Sequence, residues 1–262
     1  MAYTRLLVTI TDSVASVQLN RPEVHNAFDD ILIAELSDCI DALSRGASVR
    51  AIVFSGSGAS FCAGADLGWM GKMAGYSQEE NLADAREAQR MFHLLAACPQ
   101  VTLARVHGAA IGGGVGLVAA CDIALAAPEA TFALSEVRLG LVPAIIGPYV
   151  VEKIGIGAAR ALFVTGERFG AEEALRLGLI QQVVPQEELD AALHSKVERV
   201  LQAGPTAIAT AKRLLRDIAG KTPEEAAEVT VPCIAQLRVS PEGQEGIRAF
   251  LEKRKPDFAS DK

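Results

Sequence analysis

His107-Gly108-Ala109-Ala110-Ile111-Gly112-Gly113-Gly114-Val115-Gly116-Leu117 is the stretch on which the reading of this chain turns. An apolar run from Val101 to Val106 leads into its glycines, and an apolar, alanine-rich run from Leu117 to Cys121 follows them. The triplet is therefore placed where a strand hands over to a helix. Free backbone N–H groups collect and point one way at such a junction. Glycine allows positive φ and close backbone approach, and a helix N-terminus adds partial positive charge, so the turn reads as an anion or oxyanion site. A second glycine turn lies upstream at Ser60-Phe61-Cys62-Ala63-Gly64-Ala65-Asp66-Leu67. Gly113 in one turn and Ala65 in the other are read as each offering one N–H to the same substrate oxygen.

Outward from these turns, strands and helices alternate. Leu6–Ile10 and Val14–Leu19, split by Thr11-Asp12-Ser13, predict a β-hairpin. Asn20-Arg21-Pro22-Glu23-Val24-His25-Asn26-Ala27 breaks the strand, and Asp29–Ser44 carries Ile31, Ile33, Leu36, Ile40 and Leu43 at near-helical spacing. Gly46 ends that helix, and Val49–Phe54 predicts a buried strand. Ser77 with Glu80 has capping-box spacing ahead of a helix over Asn81–Ala97 that Pro99 stops. Asp122–Ala127 predicts another strand, Thr131–Val137 a shorter extended piece, and Gln182–Val184 one more strand among helices that begin at Gly157. Strand, helix and strand in succession imply right-handed β-α crossovers. Helical runs at 186–202, 206–219, 223–237 and 241–253 close the chain, with Pro232 expected to kink or split the third. Val229, Val231, Ile234, Ala235 and Leu237 put apolar residues on more than one side of that third run, leaving surface for a partner subunit.

Half of the 262 residues are hydrophobic and 5% are aromatic, which fits an α/β unit with a large aliphatic core. A net charge of −7, with Lys253-Arg254-Lys255 as the one compact basic cluster, argues against a nucleic-acid surface. Cys39, Cys62, Cys98, Cys121 and Cys233 are odd in number, widely spaced and without a CxxC pair, so neither a zinc site nor a disulfide framework is indicated. No run reaches membrane-spanning length and no targeting pattern opens the chain, so a cytoplasmic protein is expected, with no metal.

Leu19-Asn20-Arg21-Pro22 with Asn26-Ala27-Phe28, the Phe61–Leu67 turn, Val106–Gly114, Cys121-Asp122-Ile123, and Ser135-Glu136 followed by Leu139-Gly140-Leu141-Val142-Pro143 resemble the enoyl-CoA hydratase/isomerase (crotonase) superfamily. The match is colinear over nearly the whole chain. Within the family, Gly64–Met70, Gly112–Ile123 and Leu134–Leu141 look most like bacterial methylglutaconyl-CoA hydratase-type members. The resemblance implies a crotonase (ClpP-like) fold, a ββα spiral over residues 1–200 with a helical trimerisation region over 201–262, in a homotrimer or homohexamer. It implies that the amides of Ala65 and Gly113 form an oxyanion hole for a CoA thioester carbonyl. Gly112, in the same turn, counts among the substrate contacts. Ala63, Asp66 and Leu67 then lie against the CoA adenine and pantetheine, with Val24 and Ala27 along the same groove. Phe250 and Lys253 match positions that reach CoA from the same or a neighbouring subunit. The substrate is an acyl-CoA thioester, and coenzyme A belongs to it, so no separate cofactor is implied.

Glu136 matches one of two catalytic glutamates of the hydratases. The other belongs two residues past the glycine triplet, where this chain has Gly116. Three readings follow: hydration of a 2-enoyl thioester with Glu136 serving both proton transfers, isomerisation of a 3-enoyl thioester by Glu136 alone, or acyl-CoA binding without chemistry. Hydration ranks first. A distal carboxylate, as in 3-methylglutaconyl-CoA, would need a cation near the acyl pocket, and Lys72 and Arg138 are nearest in sequence. Plainer readings stand beside these. His107 reads as a packed histidine rather than a base, His25 as a groove residue or a solvated turn, and Cys62 as no nucleophile. Trp69, Met70 and Met73 wall either the pocket or the core.

Overall fold

A computed structural model describes residues 3–46 and 48–259. In β2 (Val14–Leu19) the side chains of Ala15, Val17 and Leu19 are buried and those between are half-exposed, the period-two pattern of a strand covered on one face. It pairs antiparallel with β1 (Leu6–Thr11), Leu6 opposite Leu19, over Asp12 and Ser13. Every further pairing in this sheet is parallel: β2 with β3 (Ala51–Gly56), β3 with β4 (Val101–Val106), β4 with β6 (Ile123–Ala126), and β6 with β9 (Gln182–Val183). β4 is buried along almost its whole length, the continuous apolar run of a strand covered on both faces.

A second sheet holds β5 (Ala109–Ile111), β7 (Thr131–Ala133) and β8 (Arg168–Gly170) in the order β5-β7-β8. Two parallel bridges, Cys62 with Ala110 and Phe28 with Ala65, carry this layer back towards the start of the chain. Each coil therefore runs a long strand, a short extended piece, then a helix. β2 leads through Phe28 to α1 (Asp30–Arg45), and β3 through Cys62–Ala65 to α2 (Leu67–Met73) and α3 (Gln78–Ala97). β4 leads through β5 to α4 (Gly113–Ala120), and β6 through β7 to α5 (Gly147–Thr165). This is the ββα spiral that the sequence resemblance implies.

Asp29 caps α1 by accepting from Leu32 N at 2.8 Å, and Ser77 and Glu80 form the capping box expected at the start of α3. α4 is buried from Gly114 to Ala120, so it reads as an apolar run without a polar face. Two expectations need correcting here. The glycine triplet follows β5, not the Val101–Val106 strand directly. The extended piece at Thr131 ends at Ala133 and gives way to a 3-10 turn over Ser135–Leu139.

The main core lies between the large sheet and α1, α3 and α4, around Phe54, Leu36, Ile40, Met91 and Leu117. On the other face α7 (Leu189–Leu201) sets Leu189, Leu193, Val197 and Leu201 against Val101, Leu103 and Leu125. α6 (Ala171–Leu177) precedes it. The arm of α8 (Pro205–Ile218), α9 (Pro223–Val239) and α10 (Pro241–Leu251) packs on itself. α9 runs unbroken through Pro232 rather than splitting there. None of its residues is buried, so the carbonyl that loses its helical donor can be met by water. Among the described residues, no helix is long and apolar enough to cross a membrane.

Candidate active site

The two glycine turns are brought together by the second layer of the spiral. Phe28 donates its N–H to Gly64 O at 2.7 Å and accepts from Asp66 N at 2.8 Å, so two short backbone rails, 27–29 and 64–66, lie side by side. This pairing uses the atoms flanking Ala65 and leaves its own N–H on the opposite edge. Among the described residues no acceptor takes that N–H. Cys62 donates to Ala109 O at 3.0 Å and accepts from Ile111 N at 2.9 Å, which joins the same turn to β5 just ahead of the triplet. Gly113 is the first residue of α4, so helix geometry leaves its N–H without an intrahelical partner. The ring of Phe28 rests on Gly113: a Cβ there would lie 2.9 Å from Phe28 Cδ2 and Cε2.

Ala65, Gly113 and Glu136 line one cavity of about 190 Å³, whose other walls are Phe28, Ile33, Trp69, Ala88, Met91, Phe92 and the loop Val142–Ile146. Glu136 is the only titratable side chain in that lining. The 3-10 turn presents it towards Gly112, where φ is +51° and a Cβ would stand 3.1 Å from Glu136 Oε1. A side chain at 112 would be strained and would crowd the carboxylate at once. Glu136 Oε2 is buried and has no hydrogen-bond partner. Burial pushes the Glu136 carboxyl above the ordinary glutamate range, against a smaller downward pull from its own backbone N–H. A proton can therefore be held or released here nearer neutrality than at an exposed glutamate.

Gly116, buried one turn into α4, carries no carboxylate, and the space a side chain would need is taken. A Cβ there would fall 2.2 Å from Ile146 Cγ2 and 2.9 Å from Phe92 Cε1. The side of the cavity where a second glutamate is expected in the two-glutamate pattern is hydrocarbon.

The residues of the implied CoA groove gather on two adjacent turns. Ala63 N donates to His25 O at 2.9 Å, His25 Nδ1 lies 3.1 Å from Ser60 Oγ, and Asn26 Nδ2 donates to Ser60 O at 2.8 Å. This sets Val24, in the 3-10 turn Pro22–Val24, and buried Ala27 beside Ala63, Asp66 and exposed Leu67. The Asp66 carboxylate faces inward. It caps α2 through Gly68 N (2.7 Å) and Trp69 N (3.0 Å) and pairs with Arg21 Nη2 at 3.0 Å. Burial alone would raise its pKa, but those two amides and the guanidinium hold it below the usual carboxylate range.

Within the single chain no hydrogen bond or ion pair among the described residues ties Phe250 or Lys253 to this groove, which leaves the neighbouring-subunit alternative for these two residues. Their arm is tied down at Arg50, whose guanidinium donates to Phe258 O at 3.1 Å and to Ala203 O. Arg50 precedes β3, and six strand residues, about 20 Å at about 3.3 Å each, separate it from Gly56 beside Asn26. Phe250 is 82% exposed there. Lys72 and Arg138 are both exposed and neither lines the cavity, so the lining offers no cation to a distal carboxylate. Lys72 falls on the outer side of α2, one turn beyond Trp69, which does line the cavity.

His107 is packed, with Nε2 2.9 Å from Gly58 O. Burial pushes the Cys62 thiol up to about 12, which leaves it protonated and inert. Trp69 walls the cavity and Met73 packs against the core. Among the described residues no three His, Cys, Asp or Glu side chains stand close enough to hold a metal ion. Sequence reasoning missed the contacts of Phe28, Phe92 and Ile146. Phe28 sits inside a quoted motif, but Ile146 lies in an irregular stretch where no periodicity orients a side chain.

Residues 9–261 match the family model described as enoyl-CoA hydratase/isomerase. The crotonyl-CoA hydratase of Syntrophomonas wolfei is 32% identical over 99% of this chain and 100% of its own. Among solved structures, an enoyl-CoA hydratase from Shewanella pealeana superposes with a TM-score of 0.94 at 41% identity, over 97% of this chain and 95% of that one. One from Mycobacterium smegmatis superposes with a TM-score of 0.92 at 33% identity, covering 98% and 99%. A spiral with this site, matched along almost its full length by sequence and by shape, places the chain in the enoyl-CoA hydratase/isomerase family.

Proposed function

We propose that this enzyme adds water across the 2,3 double bond of an enoyl-CoA thioester, with the amides of Ala65 and Gly113 holding the thioester oxygen and Glu136 as the single proton carrier. The observation that carries this reading is the shared cavity: two backbone N–H groups without acceptors and one unpartnered, buried carboxylate oxygen around about 190 Å³ of otherwise apolar space. As the oxygen of water bonds to C3, ionised Glu136 takes one of its protons and the C2–C3 electron pair moves onto the thioester oxygen. Two fixed donors stabilise that charge by about 3–4 kcal/mol each, by analogy with other oxyanion holes. Glu136 then returns the proton to C2 as the carbonyl re-forms. With hydrocarbon around Gly116, both transfers fall to Glu136, and hydrogen and hydroxyl arrive on one face of the double bond.

The loss of enoyl-thioester absorbance measures this reaction. Glu136→Gln should slow it by about 10²–10⁴-fold, and unchanged activity in that variant removes the mechanism. A second reading, isomerisation of a 3-enoyl thioester, is favoured by the same lone carboxylate, because moving a proton between C2 and C4 needs one base and no water. Conversion of the 3-enoyl substrate with the 2-enoyl one left untouched would select it.

The cavity's size and lining suit a short acyl chain, since an apolar cavity of about 150 Å³ accepts a benzene-sized group. The family resemblance extends the proposal to 3-methylglutaconyl-CoA, whose distal carboxylate would have to be met at the cavity mouth or by a second copy of the chain. Turnover of crotonyl-CoA against 3-methylglutaconyl-CoA by wild type and Lys72→Ala tests this, and equal preference in both proteins removes Lys72 from the account. We further propose a cytoplasmic homotrimer or homohexamer in which residues 201–262 form the oligomerisation region. Leu215, Val231, Val239, Phe250 and Leu251 leave large apolar areas of the arm exposed in the single chain.

A further inference from the structure

We propose that Arg21 is a positioning residue for the oxyanion site, a role that rests on the reading of Ala65 and Gly113 given above. Arg21 is 6% exposed, and a buried guanidinium is costly to desolvate, so its partners have to account for its place. Nη1 donates to Ala27 O at 2.5 Å, and Nη2 reaches Asp29 Oδ2 at 3.1 Å and Asp66 Oδ2 at 3.0 Å. These partners lie on both rails of the Phe28·Ala65 bridge. Ala27 and Asp29 flank Phe28, and Asp66 follows Ala65.

The two carboxylates are also the N-caps of α1 and α2, so one planar fork sets the distance between two helix starts and the pair of rails between them. Tilting the Ala65 amide would require Asp66 to move against the guanidinium or Gly64 O to leave Phe28 N. The constraint continues to the second donor, because the Phe28 ring lies on Gly113. Arg21 also has an electrostatic part. Asp66 is the nearest residue in sequence to the Ala65 N–H on its C-terminal side. With its charge uncompensated it would oppose the negative charge that collects on the thioester oxygen in the transition state.

The test reads carbonyl polarisation directly. Cinnamoyl-CoA, a conjugated enoyl thioester, absorbs at longer wavelength when fixed donors pull electron density onto its carbonyl oxygen. In wild type the bound probe should be red-shifted relative to the free one. Arg21→Lys keeps the charge but loses the fork, and Asp66→Asn keeps the α2 cap but weakens the pair. In each, the red shift should shrink and kcat should fall about ten- to a hundred-fold, with KM changed less than about three-fold. A protein that had merely lost stability would lose active fraction while the remaining folded molecules kept the full shift. A wild-type shift that survives unchanged in Arg21→Lys overturns the proposal, and should that variant not fold, an unchanged shift in Asp66→Asn overturns it instead. Wild type that binds the probe without any red shift overturns the oxyanion reading itself, and the role of Arg21 with it.

Discussion

Glu136 is held by its surroundings in a state that costs stability and suits the proton transfers proposed above. Burial raises its pKa in the folded chain, so the native state keeps a proton that the unfolded state, titrating near about 4.3, has already released. Stability from this group is thus fullest below the unfolded value and declines as pH climbs through the folded one. Glu136→Gln should melt at a higher temperature than wild type at pH 7, with the difference vanishing below about pH 4. Thermal unfolding across that range checks it. In wild type the acid limb of kcat/KM should lie above the ordinary glutamate range and rise with pH, because the first step needs the ionised form. Glu136→Gln should lose about 10²–10⁴-fold in kcat and show no such limb. Ala65, Gly113 and Glu136 were legible as candidates in the sequence because each lies in a short colinear motif. Phe28, Phe92 and Ile146 were not, because what they do depends on contacts between coils.

At the level of elements, α4 shows why a glycine can be required for space rather than for conformation. Gly116 is buried within a regular helix, and a methyl group there would meet Ile146 Cγ2 at 2.2 Å. Gly116→Ala should destabilise by about 1–3 kcal/mol through overpacking. In an Ile146→Ala background part of that cost should disappear, since the 2.2 Å contact goes while Phe92 Cε1 and the Cβ at position 146 stay 2.9 Å away, a coupling that denaturant midpoints of the two single variants and the double variant would expose. The long, periodic elements were readable: the first hairpin, α1, α3 with its capping box, β3 and β4. Shorter ones were not. β5 has three residues beside glycines, too few for any period to show. α2 carries Gly68 and Gly71 in seven residues and is held by its cap at Asp66 and the burial of Trp69 more than by propensity. Asp66 followed by Trp69 three positions on was the signal that could have found it.

Over the whole chain, three cations fasten the arm to the spiral: Lys212 of α8 donates to Gln100 O and pairs with Asp122 Oδ2, Arg216 of α8 donates to Ala96 O, and Arg50 reaches the arm from the spiral side. Arg50 donates to carbonyls at both ends of the last three helices, at Ala203 and at Phe258. Arg50→Met removes two bonds from a charged donor, worth about 1.5–3 kcal/mol each. Limited proteolysis should then cut between residues 204 and 259 well before the spiral is touched, and equal rates in wild type and variant would show that the arm is held by its other contacts. The change from alternating strands and helices to helices alone was readable in the sequence from the loss of strand patterning after residues 182–184. The place of Phe250 and Lys253 within the single chain was not, because it depends on which end of β3 the arm reaches.

The second layer stacks Phe28, Ala65, Gly113 and Glu136 from four consecutive coils into one cavity. No shorter fragment than the first 146 residues holds every wall, so during synthesis a growing polypeptide gains affinity for its thioester only once the fourth coil has docked. A bound ligand in turn acts as a rivet through all four, and at a hundred times its Kd it should hold them against unfolding by about 2.7 kcal/mol, shared among coils that would otherwise be free to fray one at a time.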